Sequence, residues 1–287
     1  MVYYHTTVNA GSNVALAREL QIGGSRVAVK ANLNANIDAN ANLFLFGPNY
    51  TFATPVLGGQ AAVSMMGVYG RNSTSVAGTL LANVGGIDHD RTGELSDTVT
   101  AFGDLYPQAS LKWNDGVHNY MTYVMGDIPV GAYDKTRLAN IGIGHGAIDA
   151  GAGYTYFDPT KGHEFSAVAG LTYNLTNTST NYQNGVDFHL DWGASQFLSE
   201  QFSVGAVGYL FNQIGCDSGS GARLGCFQSR VASVGPQVGF IFPVGNMHGF
   251  LGLKGYGEFA AQNRPAGWNT WLTFVISPAS ATPPPAQ

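Results

Sequence analysis

Residues 26–46 read RVAVKANLNANIDANANLFLF, and their polarity alternates along most of this stretch. The odd-numbered positions from 27 to 45 are Val, Ala, Leu or Ile, whereas the even-numbered positions from 30 to 42 are asparagine apart from Lys30 and Asp38. A period of two over such a length predicts a β-strand. Because asparagine is depleted in the strands of soluble sheets, we expect the face that carries Asn32 and Asn34 to line a wet interior.

The same alternation returns later in the chain. Asp187, His189 and Asp191 alternate with bulky apolar residues at 188, 190 and 192, and residues 164–174 show a similar pattern. Near the end, Lys254 and Glu258 alternate with apolar neighbours. These stretches predict further strands that each have one polar and one apolar face.

The composition narrows the class of protein. Charged residues are 11% of the chain, against about 25% in ordinary soluble domains. Thirteen Lys and Arg against 18 Asp and Glu give a net charge of −5, which excludes a basic nucleic-acid binder. A hydrophobic share of 45% excludes a charge-rich disordered chain. No apolar run reaches the length of a transmembrane helix, so the sequence favours a barrel that crosses the membrane with strands.

Short and long connections alternate, as they do in outer-membrane barrels. Turn signals stand at 113–116, 158–162, 198–201 and 243–246, and longer polar stretches at 74–97, 131–145, 176–186, 213–228 and 260–268. We predict an all-β, 12-stranded antiparallel up-and-down barrel over residues 1–276, followed by a disordered Pro-rich tail at 277–287. The predicted strands are 2–8, 27–46, 58–72, 98–112, 117–130, 146–157, 163–175, 186–197, 202–212, 229–242, 247–259 and 268–276.

The two cysteines, Cys216 and Cys226, fall in one predicted exterior loop. Two thiols in an oxidising compartment predict a disulfide, and with no histidine nearby a metal site is the weaker alternative. We expect neither a metal nor a cofactor.

Several motifs resemble a known family. They are GDIP at 126–129, GAYDKTRLANIG at 131–142, YQNGVDFHLD at 182–191, GPQ at 235–237, and Glu258 with NRPAGW at 263–268 before a final WLTF strand. Their order and spacing resemble the outer-membrane channels named for meta-pathway phenol degradation, best between residues 98 and 276.

The resemblance implies a barrel of 12 strands in the bacterial outer membrane. It also implies uptake of hydrophobic small molecules, such as monoaromatic or lipid-like compounds, through a lumen occluded by an N-terminal segment and a lateral opening in the wall. This chain starts almost at its first strand, without a visible signal peptide, so we expect the occluding segment to be absent or truncated.

Proline donates no ladder hydrogen bond, so a proline within a predicted strand marks either a break in pairing where the wall could open or a local bulge with no role in transport. The candidates for a gap are Pro107, Gly235, Pro236 and Gln237. The predicted residues of the lumen are Lys30, Asn32, Asn34, Asp38, Asp104, Asp187, His189, Asp191, Lys254, Glu258 and Arg264. For the charged residues among them, an internal network of ion pairs and hydrogen bonds is the alternative to a role in solute passage.

Four functions stay open at this point. The first is a monomeric, non-enzymatic channel for hydrophobic solutes, whose partners are outer-membrane lipid and those solutes but no nucleic acid. The second is a general porin for polar solutes, which the asparagine-rich face favours. A barrel hydrolase is weaker because the seven histidines are scattered and no Gly-x-Ser-x-Gly elbow occurs. A soluble all-β binding protein is the fourth.

Overall fold

The protein is an all-β structure in the computed structural model. The model describes the backbone of residues 1–22, 25–84, 86–223 and 225–278, and the side chains in these ranges apart from those of residues 13–22, 25–31 and 33. The strands are β1 (Val2–Ile22), β2 (Ser25–Phe46), β3 (Asn49–Thr51), β4 (Gln60–Val84), β5 (Ile87–Asp115), β6 (His118–Asp127), β7 (Ala147–Asp158), β8 (His163–Asn174), β9 (Asp187–Phe197), β10 (Phe202–Gln213), β11 (Arg230–Val244), β12 (Met247–Gln262) and β13 (Ala266–Pro278). In the part of the chain so described, no helix is long and apolar enough to cross a membrane.

Twelve long strands close into one antiparallel barrel. Each pairs with its neighbours in sequence, β2 pairs with β4, and the ring closes where β1 pairs with β13 from Val2↔Thr273 to Asn9↔Ala266. The short β3 continues β2 along β4 in the same register beyond Pro48, since Phe46 is opposite Gly67 and Asn49 is opposite Ser64. The predicted fold class and the number of wall strands are confirmed.

The outer face of the barrel is apolar. Tyr3, Phe44, Tyr69 and Phe102 occupy one continuous row across four neighbouring strands, and the Tyr3–Phe44 and Tyr69–Phe102 ring centroids lie 5.1 and 4.9 Å apart. Other exposed apolar side chains share this face: Val63, Tyr120, Val124, Leu171, Tyr173, Leu210, Val238, Leu253, Trp268 and Leu272. Such a wall matches the lipid-facing band and aromatic girdle of a membrane barrel.

Four strands are much longer than a membrane requires. β1, β2, β4 and β5 have 21, 22, 25 and 29 residues, against about 10 for a membrane-crossing strand. The predicted loop at 74–97 is therefore wrong, because these residues form a paired hairpin. Polar cross-strand pairs support it: Ser73 and Thr98 hydroxyls lie 2.8 Å apart, and those of Thr79 and Thr92 lie 3.2 Å apart.

The other predicted connections have mixed outcomes. The loops expected at 131–145, 176–186 and 213–228 fall largely in connections at 128–146, 175–186 and 214–229, in agreement with the prediction. The loop expected at 260–268 is wrong, because only residues 263–265 separate β12 from β13. β13 continues to Pro278, two residues into the predicted tail, and residues 279–287 lie outside the described part of the chain.

The asparagine-rich face of β2 is on the outside of the sheet. Asn42 alternates with Leu43 and shares the face of Phe44, which is exposed on the outer wall, whereas Leu43 is opposite the inward-facing Tyr4. The prediction that Asn32, Asn34 and Asp38 line the lumen is therefore wrong, and the side chain of Lys30 lies outside the described residues. Beyond the aromatic row the outer face of the long strands meets water, and asparagine suits that surface as well as it suits a wet lumen.

Glycine at 267 is required for closure of the ring. A Cβ atom there would lie 1.9 Å from the carbonyl oxygen of Thr7 on β1, whereas a Cβ at Gly255 in β12 would meet nothing within 4 Å. Gly267→Val should lower the free energy of unfolding in detergent by about 2 kcal/mol or more, the size of an overpacking penalty. Gly255→Val is the matched control. Urea unfolding followed by tryptophan fluorescence measures both, and equal stability of the two variants would contradict this account of the seam.

Candidate functional site

A chamber of about 250 Å³ lies inside the barrel between β9, β10, β12, β13 and β1. Its lining combines aromatic rings with charged and amide groups: Tyr4, His189, Asp191, Tyr209, Phe211, Glu258, Arg264, Asn269 and Trp271, with Leu210 at its edge. A larger cavity of about 650 Å³ borders the end with the short turns, beside the connection from β3 to β4. We treat the chamber as the candidate site because it brings together several of the residues predicted to line the lumen.

Hydrogen bonds between inward-facing groups of β10, β12 and β13 fix one wall of the chamber. Asn269 on β13 donates to the Tyr209 hydroxyl on β10 at 3.0 Å, and that hydroxyl donates to a Glu258 carboxylate oxygen on β12 at 2.5 Å. The Trp271 indole N–H donates to Asn269 at 2.9 Å, and the second Glu258 oxygen accepts from the Gly267 N–H at 2.9 Å. Both oxygens of Glu258 are thus engaged by the protein itself.

A histidine network forms the next part of the interior. His189 Nε2 lies 3.0 Å from Asp149 Oδ2 and 3.2 Å from the Tyr123 hydroxyl, and Nδ1 lies 3.5 Å from Asp191 Oδ2. The Thr172 hydroxyl donates to the same Asp149 oxygen at 2.6 Å. These residues come from four successive strands, β6 to β9, so the network ties that sector of the wall together from within.

Asp149 and Tyr209 are central to the interior, yet sequence reasoning missed both. A signal was present: Asp149 is an isolated acid in an otherwise small and apolar stretch of β7, on the face that meets Thr172. Tyr209 sits in an apolar strand and carries no such signal. Its role becomes visible only from its position opposite Asp191 and Ser233.

The connections at the long-loop end pack against one another above the chamber. Asp187 accepts from Asn174 at 2.8 Å, and Asp217 accepts from Gln213 at 2.6 Å and from the Gly185 N–H at 3.1 Å. The Tyr182 hydroxyl also donates to Asp217. Burial, and then the hydrogen bond to that carboxylate, raise the pKa of Tyr182 to about 12.

A disulfide closes the loop that carries Asp217. Cys216 and Cys226 are bonded, with their Cα atoms 4.5 Å apart. Asp217 follows Cys216 directly, so the crosslink restrains the residue that joins connections 175–186 and 214–229.

Asp104 does not line the open lumen, so that prediction is wrong. It sits beside Gly103 at a β-bulge opposite Val68, and only 1% of its surface is exposed. Its two carboxylate oxygens accept backbone N–H groups of Gly131 and Ile143, both at 2.8 Å. Asp104 therefore anchors the long connection 128–146 to β5, a structural role that satisfies a buried charge.

An ion pair holds the same connection further along β5. Arg137 donates to both oxygens of Asp97, at 2.6 and 3.0 Å, and to the Thr98 carbonyl at 2.8 Å. Asp97 lies beyond the membrane-spanning part of β5. The Arg137 hydrogen bond, followed by the Ala139 N–H, holds the pKa of Asp97 well below its usual range. The pair is therefore intact above the ordinary aspartate pKa and is lost only as the pH falls through the depressed value.

The candidate wall gaps differ from each other. The β5–β6 ladder stops at Gln108↔Met125 and resumes as a single bridge at Leu105↔Ile128, so it is interrupted at Pro107. The β11–β12 ladder skips Gly235 and Pro236 between Val234↔Gly257 and Gln237↔Lys254. A Cβ at Gly235 would lie 1.7 Å from the Gly255 carbonyl oxygen. The two backbones therefore touch there, and the ladder is broken without an open hole.

The remaining predicted residues flank the chamber. Lys254 is on the inward face of β12 next to Trp271 and Gln237, and Gln237 donates over the intervening β10 strand to the Ser195 hydroxyl at 2.8 Å. The structure thus brings His189, Asp191, Glu258 and Arg264 to one chamber, with Asp187 beside its upper edge and Lys254 beside its lower edge. Within the described ranges, no group of three or more His, Cys, Asp or Glu side chains is placed to hold a metal ion.

The Arg137–Asp97 pair should control how firmly connection 128–146 is held. In Arg137→Gln, trypsin cleavage after Lys135 should become faster at pH 8, because loss of the ion pair lets the connection open more often. The increase should be only about two- to five-fold, since an exposed ion pair contributes little. Asp97→Asn should behave in the same way, and Arg91→Gln in the exposed hairpin is the control. Cleavage rates followed by mass spectrometry test this, and unchanged rates in both variants would show that the ion pair does not control how firmly the connection is held.

Comparison with known proteins identifies a family and a solved structure that are similar to this chain. Residues 17–274 match the family described as "Putative MetA-pathway of phenol degradation". The crystal structure of the COG4313 outer membrane channel from Pseudomonas putida F1 is similar at a TM-score of 0.61, with 13% identity over 96% of this chain and 95% of that one. A FadL homologue from Pseudomonas aeruginosa aligns at a TM-score of 0.35, with 11% identity over 96% of this chain and 87% of that one. No curated protein matches the chain. Its twelve-stranded barrel with a lipid-facing wall is an outer-membrane barrel of bacteria. Since the family match spans residues 17–274, the protein belongs to this phenol-degradation family.

Proposed function

We propose that the barrel is a channel for passive uptake of hydrophobic small molecules, of monoaromatic or lipid-like character. The observation that carries this proposal is the chamber, where Tyr4, Tyr209, Phe211 and Trp271 present aromatic surface inside a membrane barrel. Ligand sites for apolar molecules combine such walls with a few polar groups that set orientation. The family's description, which refers to phenol degradation, supports the same class of solute.

A wide porin for polar solutes fits the interior less well. The asparagine-rich face that favoured it is on the outer side of the sheet. Hydrogen bonds such as Asn269–Tyr209 and Gln237–Ser195 join inward-facing side chains over the intervening strands, so these polar groups are engaged with the wall itself. Polar side chains held in this way are less available to line a path for polar solutes.

His189 is the best candidate for a general base, and its surroundings do not support a hydrolytic function. The nitrogens of His189 face Asp149, Tyr123 and Asp191, whereas a nucleophilic mechanism needs the imidazole next to a serine, cysteine or water nucleophile. The absence of enzymatic activity stays a prediction.

Uptake by intact cells tests the channel proposal. In a strain that lacks the chromosomal copy, expression of the protein should raise the rate of toluene uptake and leave arabinose uptake almost unchanged. Cells that carry the empty vector are the control. A rise in arabinose uptake with no change in toluene would contradict the proposal and favour the porin, as would a large, steady conductance in planar bilayers.

The seam between β11 and β12 is our candidate for lateral exit of the solute into the membrane. Gly235 and Pro236 are unpaired with β12 in the ladder, and Tyr256 on the same seam faces inward two residues from Glu258. Because proline donates no hydrogen bond and glycine adds no side-chain contact, separation of the strands costs less here than at a fully paired seam. The interruption at Pro107 lies on the β5–β6 side of the barrel, away from the chamber.

A disulfide staple tests the seam. Val234 and Gly257 are directly opposite one another on the outer face, and Val234→Cys/Gly257→Cys should form a crosslink when oxidised. The staple should abolish most of the gain in toluene uptake, and reduction should restore it. The control is Ala152→Cys/Ala169→Cys, a pair opposite one another on the fully paired β7–β8 seam. Full uptake with the β11–β12 staple closed would exclude this exit.

A further inference from the structure

Arg264 is the cationic side chain of the chamber that has no carboxylate partner among the described side chains. Among the described side chains, no carboxylate oxygen lies within 4.0 Å of its guanidinium, and its Nε is buried without a hydrogen-bond acceptor. A buried donor without an acceptor is costly, and the planar guanidinium presents its N–H donors in a fixed fork that suits one bidentate acceptor. The site is therefore short of an acceptor at this point.

The acidic groups around Arg264 are already engaged by other partners. Glu258 accepts from Tyr209 and from the Gly267 N–H, Asp187 accepts from Asn174, and Asp191 faces His189. Swinging Glu258 toward Arg264 would break two hydrogen bonds that also hold the closing β13 strand. The acceptor that Arg264 lacks is consequently more easily supplied from outside the protein.

The local chain fixes Arg264 at the chamber. It lies in the three-residue connection between β12 and β13, where Asn263 has a positive φ of 55° and donates to the Gln228 carbonyl at 2.7 Å. The following Pro265 restricts the backbone of Arg264 itself. The guanidinium carbon lies over the Phe211 ring at 4.8 Å from its centroid, a cation–π contact that holds Arg264 beside β10.

We propose that Arg264 binds the anionic group, a carboxylate in the first instance, of a small aromatic acid whose ring packs among Tyr4, Phe211 and Trp271. A planar guanidinium matches a carboxylate with two parallel hydrogen bonds. A volume of about 250 Å³ is below that of sites for drug-sized ligands and suits one substituted ring. The inference rests on the proposed channel function and adds that the preferred solute is amphiphilic, with an apolar ring and one negative charge.

Binding of three probes of similar size to the purified protein in detergent tests the proposal. Isothermal titration calorimetry at pH 8 compares benzoate, benzyl alcohol and benzylamine. Benzoate should bind about 10- to 100-fold more tightly than benzyl alcohol, the gain expected from a charge-assisted hydrogen-bonded pair. Equal affinity of benzoate and benzyl alcohol, or tighter binding of benzylamine, would overturn the proposal without recourse to any variant.

Variants then assign the preference to Arg264. Arg264→Gln should remove the preference for benzoate and leave benzyl alcohol binding within a few-fold of the wild type. Arg264→Lys should keep part of it, since the charge stays and the paired hydrogen bonds are lost. Arg91→Gln, in the exposed hairpin, is the control for loss of a positive charge. A benzoate preference that survives in Arg264→Gln would overturn the assignment, and heat-modifiable migration on gels confirms that each variant is folded.

The toluene uptake assay separates this inference from the channel proposal. If toluene is taken up but benzoate shows no preference in binding, the anion site is wrong and the channel stands. If benzoate binds through Arg264 but expression does not raise toluene uptake, the chamber is a binding site and the proposed hydrophobic route is wrong.

Discussion

The structure depends on one constraint: within lipid, every backbone N–H and C=O must find a partner in the protein. The β1–β13 ladder, eight residue pairs from Val2↔Thr273 to Asn9↔Ala266, closes the sheet into a ring. Closure brings strand backbones together at Gly267, where no side chain fits against Thr7. It also divides the side chains into two sets, one that faces lipid and one that shares a confined interior. The low charge of the chain follows, because a large part of its surface faces hydrocarbon rather than water.

The interior obeys the same rule at the level of side chains. Polar groups enclosed by the wall are mostly paired with one another, as in the Tyr209–Glu258–Asn269 and His189–Asp149–Tyr123 networks. These contacts join strands that are two or three apart in the sheet, so they tie sectors of the wall together from within. The Tyr209–Glu258–Asn269 network forms one wall of the chamber beside the aromatic rings of Tyr4 and Trp271.

The sequence predicts the fold well because alternation and turn chemistry are local properties. Stretches such as 187–192 and 247–259 reveal strands without any knowledge of their neighbours, and the short turns fix which strands are consecutive. Alternation does not reveal which face is inside, and for β2 the outer side was the one with asparagine because that strand continues past the lipid. The length of the β4–β5 hairpin was missed for a related reason: residues 74–97 are polar, and only the partner strand makes them a ladder.

The residues of the site likewise divide into those that local sequence patterns reveal and those that depend on the packing of the strands. His189, Asp191 and Glu258 are visible in sequence because charged residues stand out on alternating strands. Asp104 also stands out in the sequence as a charged residue on a strand. It does not line the lumen, however, because a bulge and the backbone of connection 128–146 enclose it. Tyr209 and Phe211 have no signal because an aromatic residue in a strand is ordinary. Both residues matter because folding brings them to the chamber beside residues that are distant in sequence, and no local sequence pattern reveals that proximity.

In such a barrel, solute binding and exit are expected at the places where hydrogen-bond pairing is incomplete. A barrel whose ladder and interior were satisfied everywhere would be stable and closed, with nothing to attract a solute and no seam that yields. Two departures stand out here: the unpaired Gly235–Pro236 step on β11 and the guanidinium of Arg264 without an anion. They lie on the same side of the barrel, because β12 lines the chamber that holds Arg264 and pairs with β11. A solute bound at Arg264 would lie on the side of the barrel that carries the incompletely paired β11–β12 seam, so the proposed binding site and the proposed exit are on the same side. The His189–Asp149–Tyr123 network lies on β6 to β9, away from that seam.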